Sequence, residues 1–413
     1  HGNGGGVYSN VPTTITNSTI RNNSALNGGG VYSTYTLDID EISKISNNTA
    51  TGNGGGVCLM TVYLNTGDNE FPASSIAGEI CYNKAVNGAG VYSNNAYFAC
   101  KDSYDATMVN IFNNEATGNG GGLCVMDNIE GYTYYSNYGS HYVTGNISYN
   151  KAANGGGIYY SNDSGSYADI LIGALTLNYN EATTGNGGGA YFKTNEYIGL
   201  NITYLNGEGF WEGSHWTSNG KIEIKGNKAA VDGGGIYVER QQYMVPCAFG
   251  MSNANIIDNE AGGNGGGICA SQVDYLMDSN FSGNSSGANG GAIYSSYAHG
   301  YVNVGLRCIF NWNVGECLDQ TSSTINFTNN TAAEKGGAIY SQNNVLIGKT
   351  NCTNDVSLSL LTIIGELSLF ISKCTFSELK LLIASNIYLE LNDIDIESSL
   401  SIAIFSSNSV VPR

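Results

Sequence analysis

Proline, charge and basic residues are scarce in this chain. Its 413 residues include four prolines and 16 lysines and arginines, and charged residues of both signs make up 12 %. With so few basic side chains and a formal net charge of −18, a basic groove for nucleic acid is excluded. Attraction to anionic lipid by charge alone is equally disfavoured. No Cys-x-x-Cys occurs and the four histidines are scattered, so nothing supports a zinc site. No long, purely apolar run is present. The most apolar stretch, 356–374, contains Glu366 and alternates apolar residues with serines, which predicts strands and no bilayer span. The chain opens at His1 inside a repeat, so the lack of an apolar leader carries no implication for its compartment.

What the chain has instead is glycine, 57 residues, together with abundant tyrosine and asparagine. That much glycine excludes a helical bundle, because each glycine in a helix costs backbone entropy. Collagen is excluded by the missing Gly-x-y period and the few prolines. The apolar fraction of 41 % is enough for a long core.

The dominant feature is self-similarity. Glycine clusters begin at Gly4, Gly28, Gly54, Gly88, Gly120, Gly155, Gly187, Gly233, Gly265, Gly290 and Gly336, spaced by 24 to 46 residues. Spacings near 24 predict one coil of about three short strands, and longer ones a coil plus a loop. The two gaps of 46 are each compatible with two coils, the middle one lacking its glycines. Each cluster follows an apolar-x-x-Asn segment and precedes Val or Ile and usually Tyr, as in Ile20-Arg21-Asn22-Asn23-Ser24-Ala25 before Gly28-Gly29-Gly30-Val31-Tyr32-Ser33. Such segments alternate in the manner of strands with one buried face. One coil cannot bury that face alone, so coils must stack in register. The expected fold is all-β, a right-handed parallel β-helix with inserted loops.

Residue roles follow. Glycines belong where the backbone needs positive φ or where adjacent coils leave no room for a Cβ. Asn23, Asn48, Asn83, Asn114, Asn150, Asn180, Asn227, Asn259, Asn284 and Asn330 are expected to form an inward ladder at a corner, each bonding backbone groups and its counterpart one rung away. The Val or Ile after glycine faces inward. Tyr8, Tyr32, Tyr92, Tyr159, Tyr237, Tyr294 and Tyr340 share one motif position and stack along one side, either as an exposed stripe that binds sugars or proteins or packed under inserted loops. Glycine nearly vanishes from about Val345, and Leu, Ile and Ser take over. The expected organisation is therefore glycine-rich repeats over 1–344 and an aliphatic continuation of the solenoid over 345–413, with a leucine-rich repeat as the alternative for the tail.

The pairs Gly290-Gly291-Ala292-Ile293 with Phe281-x-x-Asn284, and Gly336-Gly337-Ala338-Ile339 with Phe327-x-x-Asn330, resemble the signatures of the polymorphic outer membrane protein repeat. Elsewhere, Gly-Gly-Gly-Val/Ile-Tyr and Ile/Leu-x-x-Asn form a consistent dialect over roughly 1–341. The resemblance implies a cell-surface β-helical stalk or adhesin and brings no catalytic residues. The membrane β-barrel that ends the chlamydial proteins has no counterpart here.

Ten cysteines taken in sequential pairs give Cys58–Cys81, Cys100–Cys124, Cys247–Cys269, Cys308–Cys317 and Cys352–Cys374, four of them separated by about one coil. Rung-to-rung disulfides in an oxidising compartment are expected, with buried free thiols as the alternative. Asn17, Asn22, Asn47, Asn146, Asn162, Asn201, Asn280, Asn326, Asn329 and Asn351 open Asn-x-Ser/Thr sequons and are candidate glycan sites, whereas Asn284 belongs to the ladder and should stay bare.

Catalysis is not expected. Arginines are few, and the densest carboxylate runs, Asp38 to Glu41 and Asp393 to Glu397, read as solvated acidic faces, with loose calcium binding as the alternative. His215 between Trp211 and Trp216, in the insertion 192–221, marks a loop packed on the solenoid or a ligand-binding lid. No cofactor is expected beyond N-linked glycans. These readings converge on a structural extracellular or cell-surface protein, a disulfide-stapled glycoprotein that serves as stalk, fibre or filament. The alternative is a carbohydrate-binding or, less readily, polysaccharide-cleaving β-helix. Expected partners are copies of itself joined end to end and surface glycans or proteins. Nucleic acid and direct membrane insertion are not expected.

Overall fold

A computed structural model describes residues 2–60, 74–95, 98–100, 109–127, 140–162, 169–194, 198–200, 221–240, 249–296, 301–304, 306–311, 316–322, 325–342, 344–347, 350–353, 361–363, 367–372, 379–383, 387–392 and 400–404. Every regular element among them is a strand, and long parallel sheets stack as a parallel β-helix. The chain divides into two compact units, His1–Ala230 with Gly235–Cys247, and Val231–Gly234 with Ala248–Arg413.

In the first unit, each coil contributes to three sheets. The strands that follow the glycine clusters form the first: Val7–Ser9, Val31–Ser33, Val57–Met60, Val91–Asn94, Leu123–Asp127, Ile158–Asn162, Ala190–Thr194 and Ile236–Arg240. Each pairs in parallel with the next. A second sheet takes two strands from most coils, such as Leu37–Ile39 and Lys44–Ser46, which lie beside Ser74–Ile76 and Glu79–Cys81 of the next coil. The break between the two is a turn closed by Asp40, whose carboxylate accepts from the Ser43 N–H at 2.9 Å. In two coils the break is absent and the strands fuse into Ser140–Ser148 and Asp169–Asn178. The third sheet consists of two-residue strands, among them Lys84–Ala85, Glu115–Ala116, Lys151–Ala152 and Glu181–Ala182. Most strands of this unit are two or three residues long, because each coil turns at an extra corner.

Buried faces account for the stacking. Val31, Val57, Val91, Leu123 and Ile158 are fully buried behind the glycine clusters, as are Ile45, Ile80, Ile111 and Ile147 on the second sheet. Apolar burial of this kind contributes about 25 cal/mol per Å². The third sheet carries Ala50, Ala85, Ala116 and Ala152, one small methyl per rung where the walls converge. Two glycines show what the clusters are for. Gly88 has φ +58° and a Cβ there would lie 2.5 Å from the Val91 carbonyl oxygen. At Gly90 a Cβ would lie 2.4 Å from the Gly122 carbonyl oxygen and 2.8 Å from Ile111 Cγ2. The first needs a left-handed backbone, and the second needs empty space between rungs.

The gaps of 46 residues do not hide extra coils. Ala190 pairs directly with Ile236, and Ile293 directly with Ile339, so each gap is a single coil with an insertion. In the second case the insertion includes an antiparallel hairpin, Leu306–Asn311 with Glu316–Ser322. Sequence spacing alone cannot separate a silent coil from a loop, since both lengthen the chain equally.

The second unit repeats the plan. Ile268–Ala270, Ile293–Ser295, Ile339–Ser341, Leu361–Ile363, Leu379–Ile383 and Leu400–Ile404 pair successively in parallel. The change of composition near 345 falls inside this unit, and strands on both sides of it share one sheet.

Candidate functional site

Most of the polar chemistry of the described core is gathered in columns that run from rung to rung. The first is the asparagine corner. Asn48 Nδ2 donates to Asn83 Oδ1 at 3.1 Å and to the Ile20 carbonyl at 3.0 Å, and the pattern repeats through Asn83, Asn114, Asn150 and Asn180. Backbone N–H groups join in: Asn48 N–H donates to Asn83 Oδ1 at 2.9 Å. The second unit has its own column, Asn259 to Asn284 to Asn330. These buried amides satisfy corner backbone groups that water cannot reach.

A second polar column escaped the sequence reading. Asn27 Nδ2 donates to Asn3 Oδ1, Asn53 N–H to Asn27 Oδ1, Asn87 Nδ2 to Asn53 Oδ1, Asn119 N–H to Asn87 Oδ1, Asn154 Nδ2 to Asn119 Oδ1, and Asn186 N–H to Asn154 Oδ1. The donors here point back along the chain, opposite to the first column. Donor type also alternates, side chain then backbone, so neighbouring coils are of two kinds. Coils of one kind read Ala-x-Asn-Gly, and those of the other insert a glycine, as in Ala116-Thr117-Gly118-Asn119. A Cβ at Gly118 would lie 2.4 Å from Asn87 Oδ1, so the inserted glycine is what lets the backbone reach that oxygen. The alternation was visible in the sequence as Thr-Gly-Asn-Gly at every second repeat.

The same two-coil period orders the tyrosine column. Tyr32, Cys58, Tyr92, Cys124, Tyr159 and Tyr191 form one buried cluster, large and small side chains alternating over its first five members. Tyr159 and Tyr191 stack at 4.9 Å between ring centroids. The exposed stripe is therefore not what these positions form: Tyr32, Tyr92, Tyr159 and Tyr340 are buried, while Tyr8 is exposed. Burial pushes the Cys58 thiol up to about 12 and the Tyr92 phenol to about 12. Burial raises Cys124 as well, and Cys81 reaches about 12 through burial and its bond to Glu79.

These cysteines correct the expected pairing. Cys58, Cys81, Cys124 and Cys269 are free thiols, so Cys58–Cys81, Cys100–Cys124 and Cys247–Cys269 are not disulfides. The separation that suggested adjacent rungs does not measure a coil here. Cys58 is in register with Tyr92 on the first sheet, whereas Cys81 is in register with Ser46 and Phe112 on the second. Cys100 likewise lies on the second sheet, beside Val143, and Cys124 on the first. In the inserted hairpin Cys308 is in register with Gln320 and Cys317 with Phe310. Cys352 lies on the strand Thr350–Thr353, while Cys247 and Cys374 fall outside the described residues.

A solvent-facing column sits at the corner just before the asparagine ladder, where the backbone turns left-handed. Asn22, Asn47, Tyr82, Asn113, Tyr149 and Tyr179 occupy it at φ between 54° and 61°. Asparagine tolerates that conformation, but tyrosine is strained in it, at a cost of order 1 kcal/mol or more. Tyr149 and Tyr179 are nonetheless 54 % and 43 % exposed. Their rings stack at 5.1 Å, and Tyr179 lies over Gly226, where a Cβ would meet its ring at 2.5 Å. Beside them on the third sheet runs a column of alternating sign, Lys84, Glu115, Lys151, Glu181 and Lys228. Lys84 meets Glu115 at 2.9 Å and Lys151 meets Glu181 at 2.6 Å.

The candidate glycan sites divide by exposure. Asn17, Asn22, Asn47 and Asn329 are exposed, while Asn146, Asn280 and Asn326 are half-buried. Asn162, in register with Asp127 on the first sheet, is only 1 % exposed and is therefore removed from the candidates. Asn284 is fully buried in its ladder. Asn201 lies outside the described residues, as does the side chain of Asn351. In the first acidic run, Asp38 accepts from the Ser75 N–H at 3.1 Å, and Asp40 accepts from the Ser43 hydroxyl at 2.5 Å and from the Asn17 and Ser43 N–H groups, so hydrogen bonding, that of the hydroxyl above all, holds the Asp40 carboxyl below its ordinary range. Among the described residues no group of three or more His, Cys, Asp or Glu gathers for a metal, and no helix is long and apolar enough to cross a membrane. Asp393, Asp395, Glu397, Trp211, His215 and Trp216 lie outside the described residues.

The Chlamydia polymorphic membrane protein (Chlamydia_PMP) repeat matches residues 221–239, 278–296 and 324–342. Each match runs from a second-sheet strand through the asparagine corner to the strand after the glycines, so one match is one wall-to-wall segment of a coil. Two of the three contain the Phe-x-x-Asn and Gly-Gly-Ala-Ile pairs, and the third contains Ile224-x-x-Asn227 and Gly233-Gly234-Gly235-Ile236. No curated protein and no solved structure matches the chain. The chain is a parallel β-helix that carries the chlamydial polymorphic membrane protein repeat at three positions.

Proposed function

We propose that the protein is a structural component of a cell surface, a stiff β-helical stalk or adhesin whose exposed corner asparagines carry N-linked glycans. The observation that carries this reading is the use of polar side chains. The buried asparagines and the third-sheet charges bind the next rung, which favours a scaffold over a catalytic pocket. The repeat match supports a surface location, since the repeat is that of membrane proteins. Parallel in-register pairing propagates wherever a coil is open, which supports association between copies. The hairpin pair Cys308–Cys317 and the pair Cys352–Cys374 remain candidate staples of such a protein. The test is antibody labelling of intact cells of the natural source, followed by enzymatic removal of N-glycans. Labelling of unpermeabilised cells and a mass loss mapped to Asn17, Asn22, Asn47 or Asn329 support the reading. Labelling only after permeabilisation overturns it.

The strained, exposed Tyr149–Tyr179 stack favours a second reading, glycan binding. Its rings and the adjoining Lys151–Glu181 pair offer an apolar edge beside hydrogen-bonding groups, a combination that suits pyranose rings. Tyr149→Asn and Tyr179→Asn install the residue type found elsewhere in that column. A glycan array bound by the parent and lost in both variants supports this reading, and an array with no hits removes it.

A further inference from the structure

The second asparagine column has a chemical property that its hydrogen bonds bring out. Asn3, Asn27, Asn53, Asn87, Asn119, Asn154 and Asn186 are each followed by glycine, as are Asn264 and Asn289, which are bonded to each other in the second unit. Asn-Gly is the dipeptide most prone to spontaneous deamidation, because no side chain hinders the peptide nitrogen after the asparagine. That nitrogen, after yielding its proton to base, attacks Cγ. Ammonia leaves with the amide nitrogen and a succinimide ring remains. Water then opens the ring to aspartate or isoaspartate, so one water enters and one ammonia departs. The fold itself demands the labile pair. The ladder requires the carboxamide, and the turn at positive φ requires glycine, as at Gly88.

We propose that this column is a set of latent self-modification sites, shielded while the coils are stacked and opened by unfolding, so that loss of the fold becomes irreversible. Asn87 shows the shield in full. The attacking nitrogen, Gly88 N, is committed as a donor to the Asn119 carbonyl at 2.9 Å. The carboxamide it must reach is held at both ends: Oδ1 accepts from Asn119 N–H at 2.8 Å and Nδ2 donates to Asn53 Oδ1 at 3.0 Å. The same tie on the glycine nitrogen recurs at Gly4, Gly28, Gly54, Gly120, Gly155, Gly265 and Gly290, each donating to the next rung at 2.8 to 3.0 Å. Attack therefore has to wait for a rung to open.

Modification also prevents return. A carboxylate at Asn87 replaces the Nδ2 donor by oxygen, which then faces Asn53 Oδ1 instead of bonding it. Isoaspartate adds a carbon to the main chain and throws the rung out of register. Asp232 shows what a carboxylate needs in such a column: it accepts both the backbone N–H and the side-chain amide of Asn264, at 2.6 and 3.2 Å.

The test holds one preparation folded and another in concentrated urea at the same mildly alkaline pH and temperature. Peptide mapping by mass spectrometry then follows aspartate and isoaspartate at Asn27, Asn53, Asn87, Asn119 and Asn154, and urea is removed at intervals to measure recovered native signal. The expectation is modification at least about tenfold slower in the folded sample, since reaction needs local opening, and a recovered fraction that falls as modification rises. Equal rates in the two samples overturn the shield. Native recovery of fully modified chains overturns the irreversibility. Where the parent aggregates on dilution, the Asn87→Asp variant, made and folded directly, isolates the second point. Its urea midpoint is expected below that of the parent at neutral pH and closer to it at acidic pH, where the carboxyl protonates. A variant as stable as the parent at neutral pH overturns that half of the proposal.

Discussion

Asn83 donates both its backbone N–H and its side-chain amide to one oxygen, Asn114 Oδ1, at 2.9 and 3.0 Å. The same side-chain nitrogen also reaches the Ile45 carbonyl one coil back, at 3.0 Å. A single asparagine therefore ties three coils together at a corner buried from solvent. Repeated along the column, this arrangement makes each rung's polar satisfaction depend on both neighbours.

Removing one amide from the middle of this column should be felt on both sides. Asn114→Ala leaves the Asn83 backbone N–H without its acceptor, takes one of two acceptors from Asn83 Nδ2 and removes the amide donor to the Ile80 carbonyl. The expected loss is about 1–3 kcal/mol per unsatisfied buried group, read as a lower urea midpoint. Asn23→Ala, at a half-buried position whose side-chain amide donates to Asn48 Oδ1, should cost less.

The buried thiols make stability fall in alkali. Cys58 has its pKa raised by burial from 9.0 to about 12, so the unfolded chain ionises while the native thiol keeps its proton. Stability is fully present below pH 9 and is lost between pH 9 and 12, at up to about 1.4 kcal/mol per pH unit for each such thiol. Tyr92, raised by burial to about 12, acts in the same sense. Urea titrations of the parent and Cys58→Ala should show a shallower alkaline slope in the variant. Iodoacetamide should modify Cys58 and Cys124 only after unfolding.

Space between rungs is tested at Gly90. Its Cβ would lie 2.4 Å from the Gly122 carbonyl oxygen and 3.1 Å from Asn114 Nδ2, so Gly90→Ala pushes on both the backbone and the ladder. A loss of about 1–3 kcal/mol is expected from overpacking alone, checked by thermal unfolding. Ala89, one residue earlier, is an alanine within the same cluster, and Ala89→Gly should cost far less.

The charge column should matter little. Lys84 and Glu115 are largely solvent-exposed, so Glu115→Lys, which sets like charges on three successive rungs, is expected to cost about 0.5 kcal/mol. The effect should shrink in high salt, and urea midpoints at two ionic strengths would show it.

Local spacing carried the coil plan. The apolar-x-x-Asn segment, the glycine cluster and the Val/Ile-Tyr strand are each set within a dozen residues, so inward Val31 and Ile45, ladder Asn48 and the glycine turns could all be placed from the chain alone. Asn22 and Asn47, which open sequons just before a ladder residue, are exposed at a corner that the structure shows to be left-handed.

What only the tertiary structure decided are the relationships across rungs. Two residues stack when their coils are in register, and insertions decouple that register from separation along the chain. Hence Cys58 sits beside Tyr92, 34 residues on, and away from Cys81, 23 residues on. The 46-residue gaps proved to be single coils for the same reason. The back-pointing Asn27–Asn53–Asn87 column and the strained Tyr149–Tyr179 stack also depend on which rung lies next to which. A repeat motif specifies each rung's own shape. Packing between rungs determines which side chains meet.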